Sequence, residues 1–141
     1  MERRELLLQM RKDKTLKGLK PAFVTLKLNT GKIYTGGTSN FILSLKNNIL
    51  YFQKITLFLK KLKPKEDFEI NAKRFTEYTL ETRGYTKILY LFDKAGYFLE
   101  IRYLYGTKQT APSDDNISRI IAELKETINL VEANNDGTEE E

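Results

Sequence analysis

A single change of pattern, near Pro112, constrains the fold of this chain more than any other feature. Before it, from Phe23 to Tyr105, short runs alternate apolar and polar residues and are separated by turns rich in Gly, Asn and Asp. After it, apolar residues recur at the spacing of one helical face: Ile117, Ile120, Ile121, Leu124, Ile128 and Val131. The pattern therefore predicts an antiparallel sheet closed by one C-terminal amphipathic helix.

The alternating region divides into seven or eight strands, at 23–28, 33–35, 41–46, 49–55, 67–70, 75–82, 86–92 and 97–105. Asn47 and Asn48 mark the clearest hairpin, because asparagine tolerates the positive φ angles that a two-residue turn requires. The run 86–92 is apolar throughout, which indicates a strand covered on both faces. The run 75–82 is polar, which indicates a strand exposed on one face. Residues 56–65 are interpreted as a strand end followed by a Lys-rich loop.

One helix is predicted before the first strand and one after the last strand. Glu2 to about Lys17 is rich in good helix formers and is expected to end at Gly18. The C-terminal helix is expected to begin after Pro112, with its first turn capped by Ser113, Asp114 or Asp115. These elements divide the chain into an N-terminal helix at 1–20, a β-barrel with its helix at 21–133, and a disordered acidic tail at 134–141.

Composition limits the chemistry available to this chain of 141 residues. It contains neither cysteine nor histidine, so disulfides, thiolate nucleophiles, imidazole bases and most transition-metal sites are excluded. No nucleophile elbow, phosphate-binding glycine loop or calcium loop is recognisable. We therefore predict a protein that is not an enzyme, with no catalytic residues, no cofactor and no metal.

Hydropathy gives the expected location. No run approaches the roughly 18–20 apolar residues of a membrane-spanning helix, and the N-terminus lacks the apolar core of a secretory signal. A cytoplasmic protein is expected. The abundance of Lys, Asn, Ile and Tyr indicates an AT-rich genome, such as that of a bacterium or its phage or plasmid.

Charge is divided unevenly along the chain. Residues 1–65 carry 15 Lys and Arg against 3 Asp and Glu, whereas residues 66–141 carry 9 against 16. A basic half can bind phosphates, an acidic partner or the protein's own acidic half. Because sheet formation interleaves the two halves, this asymmetry along the sequence need not become a basic patch.

The order of the predicted elements resembles that of pleckstrin-homology-like domains. The segment 42–52, Ile-Leu-Ser-Leu-Lys-Asn-Asn-Ile-Leu-Tyr-Phe, is similar to a hairpin of bacterial members and of the related GRAM domains. The resemblance covers about Phe23 to Glu132. It implies two nearly orthogonal sheets in an open barrel, with the C-terminal helix plugging one end.

The resemblance also implies an anion site. Many membrane-binding members hold an inositol phosphate with basic residues around the first β-turn. Lys27 and Lys32 flank the corresponding turn here, and Lys46 ends a neighbouring strand. The Lys-x-Arg pairing common in the family is absent, and solvated lysines remain the alternative interpretation.

A second basic surface follows from the Lys-rich loop. Lys60, Lys61, Lys63 and Lys65, supported by the basic N-terminal segment, are candidates for nucleic-acid binding. Aromatic residues would then supply stacking platforms: Tyr51, Phe52, Tyr78, Tyr90, Tyr97 and Tyr103. The alternative is that these aromatics pack a core or form cross-strand pairs.

The function that the sequence favours is a non-catalytic binding or scaffold module. Its partner is expected to be a protein, and self-association is expected through an exposed strand edge or through Leu6, Leu7 and Met10. Those three residues form an apolar stripe only two turns long, which needs a second surface to persist. The alternatives are a nucleic-acid-binding barrel and peripheral attachment to an anionic membrane.

Overall fold

The computed structural model describes residues 3–29, 39–56, 62–96, 98–107 and 110–139. The predicted strand at 33–35 lies outside these ranges. Two helices and seven strands are described: α1 Arg3–Lys12, β1 Leu19–Asn29, β2 Ser39–Lys46, β3 Ile49–Lys54, β4 Phe68–Asn71, β5 Glu77–Arg83, β6 Thr86–Phe92, β7 Phe98–Leu104 and α2 Ala111–Glu139. Short 3₁₀ turns at Pro64–Glu66 and Ala72–Arg74 flank β4.

The seven strands form one antiparallel sheet in the order β4-β3-β2-β1-β7-β6-β5. Strand β1 lies at its centre and pairs with both β2 and β7. The sheet is open, since β4 and β5 end it on opposite sides. This order, followed by a C-terminal helix, confirms the mainly β antiparallel fold with a helix at each end of the chain, and it is consistent with the pleckstrin-homology-like fold that the sequence predicts. The described strands form one open sheet, whereas the resemblance implies two nearly orthogonal sheets. The closer resemblance to bacterial members and GRAM domains stays a prediction.

The turns explain how the strands are connected. Asn47 and Asn48 join β2 to β3 with φ angles of 53° and 64°, which confirms the predicted two-residue hairpin. The same handedness of backbone occurs at Gly84, between β5 and β6. At the start of β1 the register shifts between Leu19 and Ala22, and Lys20 has a φ of 57°. This bulge bends β1 at its start.

The main core lies between the inner face of the sheet and α2. The predicted helical face is confirmed as buried at Ile117, Ile120, Ile121, Leu124 and Ile128, while the side chain of Val131 lies outside the described residues. Facing them are alternate residues of the strands: Val24, Leu26, Phe41, Leu43, Leu50, Phe52, Leu89, Leu91, Leu99 and Ile101. The rings of Phe52 and Phe68 stack with their centroids 4.8 Å apart.

The ends of α2 differ from the prediction. The helix begins at Ala111, so Pro112 lies within the first turn, where a missing N–H costs little. The carbonyl of Thr110 accepts the backbone N–H groups of Ser113 and Asp114. The carboxylate of Asp114 instead accepts from the Gly106 N–H at 3.0 Å and ties the preceding loop to the helix. Residues 134–139, expected in a disordered tail, have helical backbone.

Helix α1 is shorter than the sequence predicts. It ends at Lys12 rather than near Lys17, and Lys14, not Gly18, has the left-handed conformation that ends it. The N–H of Thr15 donates to the carbonyl of Met10, and the N–H of Lys14 donates to the carbonyl of Arg11. These two bonds form a Schellman motif, in which lysine takes the position that glycine usually occupies.

Candidate functional site

The apolar stripe of α1 is covered by the protein's own sheet. Leu6 and Met10 are 5% and 1% exposed and form a second core with Phe23, Ile42 and Ile55. Because Phe23 and Ile42 alternate with inner-face residues on β1 and β2, this second core lies on the outer face. Leu7 and Leu16 pack at its margin. The prediction that Leu6, Leu7 and Met10 form a self-association surface is therefore corrected: Leu6 and Met10 are already covered, and Leu7 is half-buried.

Polar groups lock the segment after α1 onto the same outer face. The buried side chain of Gln53 donates to the carbonyl of Thr15 at 2.8 Å and accepts the N–H of Lys17 at 3.2 Å. The ammonium of Lys17 lies 3.7 Å from the carboxylate of Asp67. That carboxylate also accepts the N–H of Lys54 at 2.8 Å. Helix α1 and the segment after it thus form a second layer packed on the outer face of the sheet.

Close packing explains Gly18. A Cβ atom at this position would lie 2.6 Å from the Ser44 hydroxyl and 2.9 Å from the backbone nitrogen of Leu45. The Ser44 hydroxyl is fully buried and has no hydrogen-bond partner among the described residues. Glycine is therefore needed here for backbone approach, not as a helix cap.

The candidate anion site is not assembled by the described residues. Lys27 lies near the end of β1, whereas Lys46 ends β2 beside the turn to β3, and both are exposed. The register pairs Leu19 with Leu45 and Leu26 with Ser39, so Lys27 and Lys46 are separated by most of the length of β1. In a meander of antiparallel strands, successive turns lie at opposite ends of the sheet. Lys32 lies outside the described residues.

The Lys-rich loop is described only at its end. Lys60 and Lys61 lie outside the described residues, while Lys63 and Lys65 are exposed. The ammonium of Lys63 lies 3.8 Å from the carboxylate of Glu66, and both side chains are 54% exposed. Such an exposed pair contributes little to stability. The two described lysines do not by themselves define a binding site.

The candidate stacking residues are mostly committed to the protein interior. Phe52 is fully buried, and Tyr103 is 6% exposed. Burial, with a smaller contribution from Tyr105, raises the pKa of Tyr103 to about 12. Tyr51, Tyr78 and Tyr90 are half-buried, and Tyr97 lies outside the described residues. The described strands therefore do not present the row of exposed rings that single-stranded nucleic acid would need.

Among the described strands, β4 and β5 lie at the two edges of the sheet, and β5 offers the longer edge. Strand β5 pairs with β6 along its full length, from Glu77 opposite Phe92 to Arg83 opposite Thr86. Within the described part of the chain, no strand pairs with its other side. Every second residue of an edge strand directs its N–H and C=O away from the sheet. β5 has seven residues, compared with four in the other edge strand, β4.

The outer face beside this edge carries a network of charged and polar groups. Arg83 Nε lies 2.8 Å from Glu81, and the Tyr90 hydroxyl donates to Glu81 at 3.3 Å. Next to them, Arg102 Nε lies 2.8 Å from the buried Glu100 carboxylate, which raises the pKa of Arg102. Partial burial and the Glu100 and Glu81 carboxylates raise the pKa of Tyr90. These pairings fix the side chains that border the edge strand.

The inner side of β5 is less polar. Tyr78 packs against the main core and lies 5.6 Å from the Lys125 ammonium of α2. Leu80, two residues on, is opposite the buried Leu89 but remains 36% exposed. The sequence pattern had identified a polar strand here. It did not single out Glu77, Leu80 or Arg83, because nothing in the local pattern says which strand ends the sheet.

Two further properties describe what the site offers. Among the described residues, no group of three or more Asp or Glu side chains is placed to hold a metal ion. Within the same part of the chain, no helix combines the length and apolar character that crossing a bilayer requires. What the edge of β5 can do chemically is to donate and accept backbone hydrogen bonds.

Comparison with known proteins gives similarity in structure and none in sequence. The sequence matches no protein-family model and no curated protein sequence. A solved structure described as "The pleckstrin homology (PH) domain of USP37" is similar to this chain with a TM-score of 0.42 and 11% sequence identity, over 77% of this chain and 94% of that chain. Similarity at this level adds nothing to the assignment of the fold. The pleckstrin-homology-like topology rests on the strand order and on α2.

Proposed function

We propose that this protein is a non-catalytic, cytoplasmic module that binds protein, and that it associates with a second copy of itself. The observation that supports this function is the edge of β5. Alternate residues along its seven positions direct backbone groups away from the sheet, and among the described residues no strand pairs with that side. Proteins usually protect such edges with prolines, bulges, charged side chains or very short strands, and β5 carries Glu77, Glu81 and Arg83. β5 contains no proline.

The rest of the described surface offers less to a partner. Helix α1 uses its apolar stripe internally, and α2 uses its apolar face against the sheet. The described lysines of the two basic regions are exposed but do not converge. An edge strand binds through the backbone and can accept another strand without a prepared pocket. The β5 edge can therefore bind a protein without a pocket or a cluster of converging side chains.

Sedimentation velocity across a wide concentration range tests this function. The purified full chain is expected to shift from monomer to dimer as its concentration rises. Monomers at every concentration would exclude self-association. Capture of proteins from host extract by the immobilised chain, followed by mass spectrometry, would then test binding to a different protein.

A further inference from the structure

We infer that two copies of this chain pair through β5 in an antiparallel arrangement, with Leu80 on the two-fold axis. The inference rests on the proposed self-association and names its surface and register. The pairing would join two seven-stranded sheets into one continuous sheet. Three properties of β5 lead to this pairing: the face of the sheet on which each residue lies, the charges along the strand and the exposure of Leu80.

The alternation of outer-face and inner-face residues along β5 limits the registers that a two-fold axis allows. Glu77, Thr79, Glu81 and Arg83 lie on the outer face, and Tyr78, Leu80 and Thr82 lie on the inner face. Residues paired across an antiparallel ladder point to the same side of the sheet. A continuous sheet whose inner face remains an inner face therefore pairs outer residues with outer residues. At the two-fold axis, a residue must therefore face the same residue of the second copy, and the axis cannot lie between two neighbouring residues of β5.

Charge decides between the central registers. With the axis at Thr79, Glu77 of one copy faces Glu81 of the other, and with the axis at Glu81 that residue faces its own copy. Both place like charges directly opposite each other, which is unfavourable. With the axis at Leu80, Glu77 faces Arg83 at both ends of the ladder and Thr79 faces Glu81. This register also uses all seven residues of the strand.

The two end residues have donor and acceptor groups that this pair can use. Arg83 contacts Glu81 through Nε at 2.8 Å, but its side chain remains 65% exposed. Its other guanidinium N–H groups can therefore donate to a second carboxylate. Glu77 is exposed at the opposite end of the strand. The arrangement forms two identical ion pairs, one at each end, as a two-fold interface requires.

Leu80 supplies the apolar centre. It is the exposed apolar residue of the inner row of β5, and the two-fold axis brings it against the same residue of the second copy. Pairing would then bury two leucine side chains that the monomer leaves in contact with water. The interface would have an apolar pair at its centre and ion pairs at its ends.

Single cysteines test the register directly, because the chain contains no cysteine of its own. Paired antiparallel residues have Cα atoms about 4.5–5.5 Å apart, which is within the range that a disulfide spans. Leu80→Cys is expected to form a covalent dimer under mild oxidation. Thr82→Cys is the matched control on the same face, since in this register the two copies of residue 82 lie about four residues apart along the ladder.

A charge reversal tests the ends of the ladder. Glu77→Arg would place two arginines opposite each other and is expected to weaken dimerisation roughly tenfold. The double variant Glu77→Arg/Arg83→Glu is expected to recover most of the loss. Glu69→Arg on the other edge strand, β4, makes the same change of charge and should leave dimerisation unchanged. Sedimentation velocity measures all four proteins.

The outcomes separate this inference from the proposed function. A dimer that cross-links through Leu80→Cys but not through Thr82→Cys supports the register. A dimer that fails to cross-link through Leu80→Cys, or that responds equally to Glu69→Arg and Glu77→Arg, overturns the inference and leaves self-association standing. A chain that is monomeric at every concentration overturns both the inference and the proposed self-association.

Discussion

The two helices cover opposite faces of one sheet, yet they do so in different ways. Helix α2 buries a regular face of five isoleucine and leucine residues against strands from both halves of the sheet. Helix α1 contributes only Leu6 and Met10 to the second core, and polar contacts of Gln53 and Asp67 hold the segment that follows it. The difference indicates that α2 belongs to the cooperative core, whereas α1 is a layer that can be released separately.

The largest effect is expected from truncation of the α2 face. Leu124→Ala removes a side chain that is 1% exposed in the main core and should lower the free energy of unfolding by about 2–5 kcal/mol. Leu130→Ala makes the same chemical change on the same helix, where the side chain is 60% exposed. Chemical denaturation compares the two variants. Equal losses would show that α2 does not dock through its predicted face.

A smaller effect is expected from the corresponding change in α1. Met10→Ala should cost about 2 kcal/mol, the low end for a buried methionine, because α1 can detach while the main core stays folded. Hydrogen exchange should therefore accelerate in α1 and change little in β6 and β7. Leu8→Ala, at a side chain that is 54% exposed, serves as the control. Faster exchange throughout the sheet after Met10→Ala would contradict a separable layer.

The close contact of Gly18 with Ser44, just after α1, gives a third comparison of variants. Gly18→Ala would place a Cβ within 3 Å of Ser44 and of the Leu45 backbone, and should cost about 1–2 kcal/mol through overpacking. In a Ser44→Gly background the same change should cost less, because the nearest side-chain atoms are gone. A double-mutant cycle measured by denaturation gives this coupling. If the stability losses of the two single variants add up in the double variant, the strain of Gly18→Ala does not come from contact with the Ser44 side chain.

The inner face and the hairpin could be predicted from the sequence because their signals are local. The spacing from Ile117 to Ile128 defines one helical face, and Asn47–Asn48 defines a turn, whatever surrounds them. The second layer could not be located in that way. The stripe of α1 shows that a covering surface is needed but not which one. Adjacent apolar residues such as Phe41 and Ile42 carried a usable signal, since two neighbours on one strand point to opposite faces and both need cover.

The candidate sites show the same limit. Lys27 and Lys46 look like neighbours when one turn of a related fold is considered alone, but the antiparallel register places them toward opposite ends of β1. The edge position of β5 depends on how all seven strands are ordered, and no local pattern encodes that order. The sequence predicts self-association through an exposed strand edge, and the strand order shows that β4 and β5 are the edge strands of the described sheet.

The smallest expected effect concerns how the two faces accommodate ionisable groups. The outer face pairs Glu100 with Arg102, whereas the inner face buries Tyr103, which must stay neutral. Burial raises the pKa of Tyr103 from about 10 to about 12, so folding opposes loss of its proton. Stability from this residue is complete below about pH 10, where both states are protonated, and is lost as the pH rises toward 12.

Denaturation at pH 8, 10 and 11.5 measures this contribution. Tyr103→Phe removes the ionisable group, so the variant should lose less stability than the unmodified protein between pH 10 and 11.5. Tyr85→Phe makes the same change at a side chain that is 66% exposed, and its pH profile should follow that of the unmodified protein. Parallel profiles for all three proteins would mean that Tyr103 ionises equally well in the folded and unfolded chains, and that the inner face is open to water at this point.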